Sequence, residues 1–314
     1  MCCLFGMLDY GHQLSAREKN RLLAVLSTQC EVRGTDATGI AYNSGGGLHI
    51  YKRPLPAHRM RFRIPGGVNA VMGHTRLTTQ GSEKRNRNNH PFYGNAGGTA
   101  FALAYNGVLQ NDVELRWRNG LPRTRIQTDS YIAVQLIEQK RALHLNSLKD
   151  MAEQVEGTFS FTVLDERDNL YFIKGDNPLC IYRYPCTGLL LYASTEDILV
   201  RALSRLKLTL EQPEQVVLAC GEIAKVDAVG TIDRCTFCTD NLFAGWYPWH
   251  RTDYPHSHWH WPCFPASGET EHGYVKELKS VAGHFGYSAD DVDALLDEGF
   301  SPEELEEYFY CSGR

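Results

Sequence analysis

The chain has 314 residues, enough for one large domain or one domain with a small module. Hydrophobic residues make up 43% and charged residues 22%, the balance of a globular protein, and a net charge of −5 gives no electrostatic case for nucleic acid. No apolar run approaches the length of a membrane span, no secretory signal is evident, and ten scattered cysteines in a chain this long imply reduced thiols in a cytoplasm rather than a disulfide scaffold.

The chain opens "MCCLFG", with adjacent cysteines ahead of apolar residues that suit the start of a buried strand. A buried strand would tie down an end that otherwise frays. "LSAREKNRLLAVLSTQCEVRG" has helical periodicity, with Leu22, Leu23, Val25 and Leu26 as its apolar stripe and Gly34 as a stop. Strand-like runs follow in "GLHIYK", "NAVMGHT" and "TAFALAYN". A helix is predicted from Ser130 in "SYIAVQLIEQKRAL", and a shorter one in "SLKDMAEQV". Phe159 to Lys174 reads as a hairpin turning at "DERDN", followed by strands in "LCIYRY" and "LLLYAS". "STEDILVRALSRL" is a helix, with Ser194 and Asp197 spaced as a capping box. Strands joined by tight turns, grouped rather than strictly alternating with helices, favour antiparallel sheets in an α+β fold.

Composition shifts after about residue 238. "WYPWHRTDYPHSHWHWPCFPASGE" is crowded with Trp, His and Pro and has no usable period. The acidic tail carries two helix starts, at Ser288 and Ser301, with Gly299 between them and Pro302 in a first helical position. Such a helical hairpin is too small to fold alone.

Several segments offer chemistry, and each also has a plainer reading. If Met1 is trimmed, as is common before small residues, Cys2 becomes the N-terminus. Its α-amine, with a reference pKa of ~7.7–8.0, could then serve as base to its own thiol. The plainer reading is a pair of small buried residues on a first strand. Arg76, in "GHTRLTTQGS", offers a guanidinium suited to a carboxylate, and a structural arginine is the alternative. Asp129, in "TDSYIAVQLIE", sits at a predicted helix start, where it could hold an ammonium group or simply cap the helix with Thr128. Asn106 and Gly107, in "YNGVLQN", could supply a side-chain amide and a backbone N–H to an oxyanion, or could form an ordinary turn.

These segments, with "RGTDATGIA" from Arg33, resemble the class II glutamine amidotransferases, an N-terminal-nucleophile family, in order and in spacing. The resemblance extends over roughly residues 2 to 230, through "EGTFSFTVLD", "GDNPL" and "YASTEDIL". It implies a four-layer αββα sandwich that hydrolyses the side-chain amide of L-glutamine through a Cys2 γ-glutamyl thioester. Asn106 and Gly107 would form the oxyanion hole. Arg76, Thr79 and Asp129 would hold the amino-acid head group. Arg33, Leu77 and Gln80 would shape the pocket, and His90 would line it. No cofactor or metal is implied. The sequence departs from the family at Cys3, where glycine is usual, and at Leu77 and Gln80, where one branch has tryptophan and histidine.

The chain is therefore read as a glutaminase domain over 2–235, an aromatic, His- and Pro-rich linker over 236–272, and a helical hairpin over 273–314. The last two are too short to be an acceptor domain, so ammonia would pass to a separate enzyme or subunit. Two other readings stay open: a different amide substrate on the same fold, or a glutamine-binding or scaffolding subunit with little turnover. "CTFC", Cys235 to Cys238, is a lone C-x-x-C; with His256, His258, His260 and Cys263 it lacks the spacing of a known zinc module, and no metal is assigned.

Overall fold

The computed structural model describes residues 2–242, 275, 279, 282, 287–300 and 305. The chain divides into two compact units, 2–258 and 259–314.

Two antiparallel sheets form the first unit. The first sheet contains β1 (Cys3–Asp9), β2 (Ala37–Ser44), β3 (Gly47–Arg53), β4 (Ala70–Arg76), β9 (Cys180–Tyr184), β10 (Leu189–Ala193) and β11 (Glu214–Gln215), in the order β11-β9-β10-β1-β4-β2-β3. The second contains β5 (Phe92–Ala96), β6 (Thr99–Leu109), β7 (Gly157–Asp165), β8 (Leu170–Lys174), β12 (Glu222–Val226) and β13 (Ile232–Thr236), in the order β13-β12-β8-β7-β6-β5. Helices α1 (Ala16–Gln29) and α5 (Glu196–Ser204) cover the outer face of the first sheet. Helices α2 (Asp112–Arg118), α3 (Tyr131–Gln139) and α4 (Leu145–Ala152) cover the outer face of the second. This is the expected αββα layering.

Strand alternation explains the three core layers. Along β1, Cys3, Phe5 and Met7 pack toward α1 and α5, while Leu4 and Leu8 face the second sheet. Ala70 and Met72 of β4, Ala102 and Ala104 of β6, and Leu164 of β7 join Leu4 and Leu8 between the sheets. The same parity carried to the other end of those strands brings in His74, Arg76, Asn106 and Ser160, all buried. The inter-sheet layer is thus apolar at one end and polar at the other, and β1 begins at the polar end.

The predicted strands and helices of this unit are present. Ser15, rather than any residue singled out from the sequence, caps α1, through a capping box with Glu18. The capping box expected at Ser194 and Asp197 is absent. Thr195 is the N-cap of α5 and makes no side-chain cap bond. The Ser194 hydroxyl instead accepts from the Leu4 N–H at 2.9 Å, because β1 lies beside β10 and needs an acceptor there. In the second unit, α6 (Ala289–Asp297) starts at Ser288 with the expected reciprocal cap to Asp291. Ala282, Val292 and Leu305 form a small apolar cluster of its own. The Trp/His-rich segment and the helix expected from Ser301 lie outside the described residues, save for Leu305.

Candidate active site

The polar end of the inter-sheet layer gathers most of the sequence-predicted residues. Cys2 immediately precedes β1, whose Cys3 pairs with Thr75 of β4; Arg76 ends β4 one step further on. The half-buried Cys2 points its thiol at the Leu77 carbonyl, 3.5 Å away. Burial pushes the thiol above its ordinary value, and the Arg76 charge works against that rise. Arg33 Nε donates to the Cys2 carbonyl at 3.1 Å, fixing the chain end from outside the strand.

Gly34 lets this loop close on β4. A Cβ there would lie 2.5 Å from the Arg76 carbonyl carbon and the Leu77 nitrogen. Asp36 completes the clasp: its N–H donates to the Arg76 carbonyl at 2.9 Å, and its carboxylate accepts from the Thr78 N–H at 2.7 Å.

Arg76 is 2% exposed. Nη1 donates to Asn89 Oδ1 at 2.6 Å, and Nη2 donates to the carbonyls of Gln80 and Gly81. Of its five N–H groups, Nε–H and one on Nη1 keep no partner among the described residues. Lys52 pins the loop behind it, donating to the carbonyls of Asn89 and Pro91; burial, then the Arg76 charge, lowers this ammonium to about 8.

Asp129 is 3% exposed. Its two oxygens accept from the N–H groups of Leu109 (2.7 Å) and Ser130 (2.8 Å). Burial outweighs those bonds and pushes the carboxyl up to about 6. Helix α3 starts two residues later, and the Thr128 hydroxyl donates to the Asn88 carbonyl, so neither residue is a plain helix cap. Gln80 links the two charges: its carbonyl accepts from Arg76, and its side-chain oxygen accepts from the Asp129 N–H at 3.0 Å.

Asn106 lies on β6 opposite Ser160 of β7. It is fully buried, yet neither side-chain amide atom has a hydrogen-bond partner among the described residues. Its backbone carbonyl accepts from Asn177 Nδ2 at 3.2 Å. Gly107 has a φ of +149°, and a Cβ there would lie 2.0 Å from the Thr158 carbonyl oxygen, so only glycine fits.

Two histidines fill the space behind. His74 Nε2 pairs with the Tyr105 carbonyl and His90 Nε2 with the Ser130 hydroxyl, and their rings lie 4.4 Å apart. Burial lowers His74 to about 3 and holds His90 well below its ordinary value. Both are neutral packing groups at physiological pH. Leu77 contributes its carbonyl. Thr79 is exposed, while the neighbouring Thr78 hydroxyl is buried without a partner among the described residues.

Sequence reasoning gave no site role to Asn89, Lys52, Ser194 or Asn177, which lie behind these residues. Asn89 beside His90, Asn177 in "GDNPL" and Ser194 in "YASTEDIL" lay in segments that carry the resemblance; Lys52 had no signal. Among the described residues, no cluster of His, Cys, Asp or Glu is suited to a metal, and no helix is long and apolar enough to cross a membrane.

Residues 74–201 match the glutamine amidotransferase domain family. Glutamine–fructose-6-phosphate aminotransferase (isomerizing) of Bacillus licheniformis is 30% identical over 189 residues, covering 56% of this chain and 30% of that protein. The Lactococcus lactis enzyme of the same name is 32% identical over 161 residues, covering 48% and 26%. The chain therefore spans less than a third of the length of these curated relatives. Among solved structures, the glutamine phosphoribosylpyrophosphate amidotransferase of B. subtilis superposes with a TM-score of 0.58 at 20% identity, over 76% of this chain and 50% of that one. An allosteric regulatory enzyme of purine biosynthesis gives 0.60 at 19%, over 77% and 50%. These two establish likeness of fold.

Proposed function

Given that this chain carries a glutamine amidotransferase domain of the N-terminal-nucleophile fold, we propose that it hydrolyses the side-chain amide of L-glutamine, with Cys2 as nucleophile once Met1 is removed. The observation that carries the reading is the Asn106 amide, buried without a partner among the described residues at the polar end where β1 begins. A buried amide left unpaired is costly, and a site for a transient oxyanion gives it a use.

The raised thiol of Cys2 calls for a base close by. The α-amine of Cys2 takes the thiol proton as sulfur attacks the amide carbon. Asn106 Nδ2 and the Gly107 N–H donate to the oxygen that becomes negative. Collapse of the tetrahedral adduct breaks the C–N bond, and the protonated amine delivers its proton to the departing ammonia. Water then attacks the γ-glutamyl thioester, with the amine again as base, and releases glutamate.

Asp129, ionised above pH 6, pairs with the substrate ammonium. Arg76 faces its carboxylate. A two-pronged grip requires Nη2 to exchange a loop carbonyl for a carboxylate oxygen, since its two protons now serve Gln80 and Gly81. Thr79, Leu77 and Gln80 stand on the same loop. The ammonia is proposed to pass to an acceptor enzyme or subunit.

Purified protein should release glutamate from glutamine, and Cys2→Ala should abolish the release. Activity retained in that variant refutes the nucleophile. Intact mass serves as an independent check, because retention of Met1 blocks the amine and favours a glutamine-binding subunit with little turnover.

A further inference from the structure

Beyond the glutaminase site, the outer face of β2 and β3 carries a groove of about 410 Å³, lined by Ile40, Tyr42, Tyr51, Arg61, Arg63 and Ile64. Strand β3 is the edge of its sheet, and its register sets Tyr51 opposite Ile40, His49 opposite Tyr42 and Arg53 opposite Thr38. Tyr42 and His49 stack, with ring centroids 5.5 Å apart. Residues 60–64 form the other wall. Their alternation buries Met60, Phe62 and Ile64 in the core under α1 and turns Arg61 and Arg63 outward together. Asn20 of α1 locks that wall, donating to the Ile64 carbonyl at 3.0 Å and accepting from its N–H at 2.9 Å.

Among the described residues, no acidic side chain lines the groove. Neither Arg61 nor Arg63 has a hydrogen-bond or ion-pair partner among the described residues, although nine ion pairs are formed elsewhere among them. Arg53 is likewise unpaired there and exposed, on the same face of β3 as Tyr51. Two outward-facing guanidinium groups next to a tyrosine face suit a ligand with a multivalent oxyanion for the arginines and a flat ring for the tyrosines. The volume is that of a small-molecule site. We propose that this groove binds a phosphate monoester carried on a planar ring, with Arg61 and Arg63 on the phosphate and Tyr51 against the ring.

A nucleotide and a small aryl phosphate offer the same chemistry, so calorimetric titrations with AMP and with phenyl phosphate distinguish the two sources. Inorganic phosphate and adenosine provide the separate halves. Binding of AMP, of phenyl phosphate or of both, tighter than either half, is expected. The doubly substituted Arg61→Ala, Arg63→Ala protein should weaken that binding at least ~10-fold, and Tyr51→Ala should bring it toward that of inorganic phosphate. Neither change should alter basal glutamate release, since none of these residues lies in the glutaminase site. Three results would overturn the proposal: no binding up to about 5 mM, binding that survives loss of both arginines, or phosphate alone binding as tightly as either ester.

Discussion

Replacing Asn106 by leucine separates a catalytic from a structural role, because the two predict opposite signs for stability. The side chain is fully buried and neither of its polar atoms is paired among the described residues. An unpaired buried amide costs about 1–3 kcal/mol on the scale of protein mutations. Leucine has similar bulk, removes that cost, and adds apolar contact next to Ala104 in the inter-sheet layer. The variant should therefore melt at the wild-type temperature or a few degrees above it, at roughly 2–4 °C per kcal/mol for a domain of this size. Activity should move the other way. Loss of one oxyanion donor costs ~10²–10³ in kcat, with KM for glutamine little changed, because the donor acts on charge that develops only in the transition state. The assay is glutamate release under saturating glutamine, alongside thermal denaturation. A variant destabilised by ~2 kcal/mol or more, or one with kcat within ~10-fold of wild type, would refute the assignment.

Asp129 makes a pH prediction. Its carboxyl rises from the ordinary 3.8 to about 6, so the folded protein holds this proton more tightly than the unfolded chain. Its contribution to the stability of the unliganded protein should fall as pH rises from about 4 to about 6, then level off. Glutamine binding has the opposite dependence: its ammonium needs the carboxylate, so KM should fall as pH rises through about 6. Asp129→Asn should flatten the KM profile at a high value, and a profile identical to wild type would remove Asp129 from the head-group role. Gln80→Leu breaks the bond to the Asp129 N–H while keeping the carbonyl that serves Arg76. KM for glutamine should rise about 10-fold, with kcat near wild type; a fall in kcat at constant KM would count against a positioning role.

Most of the fold was legible because its strands are apolar or alternating and end at turn residues. Strand β2 was hidden inside "RGTDATGIA", whose glycine and threonine suit a loop as well as a strand. Strands β12 (EIAKV) and β13 (IDRCT) are interrupted by charged residues and lack the continuous apolar run that marks the equally short β10 (LLLYA). Helix α2 is seven residues long and starts without a side-chain cap bond at Asn111, leaving little local signal. At the candidate site, Arg76, Asp129 and Gly107 were visible in the sequence because charge and glycine constraints mark them. The residues that hold them were not. Asn89, Lys52 and Asn177 act through carbonyls and amides 13 to 71 positions away in sequence, and local pattern does not record such pairings.

Strand parity also accounts for the residue that departs from the family pattern. Cys3 faces away from the site, into the core formed by Phe5, Met7, Leu23 and Cys30, and is fully buried. Glycine at this position would leave that space unfilled, so a small apolar side chain is a packing choice for this core. The two cysteines thus point to opposite faces of one strand, and their substitutions should behave oppositely. Cys3→Ala removes one buried sulfur, at a cost on the order of 1 kcal/mol, and should leave glutamate release within a few fold of wild type. Cys2→Ala should leave the fold intact and the release undetectable. Parallel measurement of melting temperature and glutamate release in both variants tests the assignment. If Cys3→Ala silenced a normally folded protein while Cys2→Ala did not, the register of β1 would have been misassigned by one residue, and with it every inward-facing group argued from that strand.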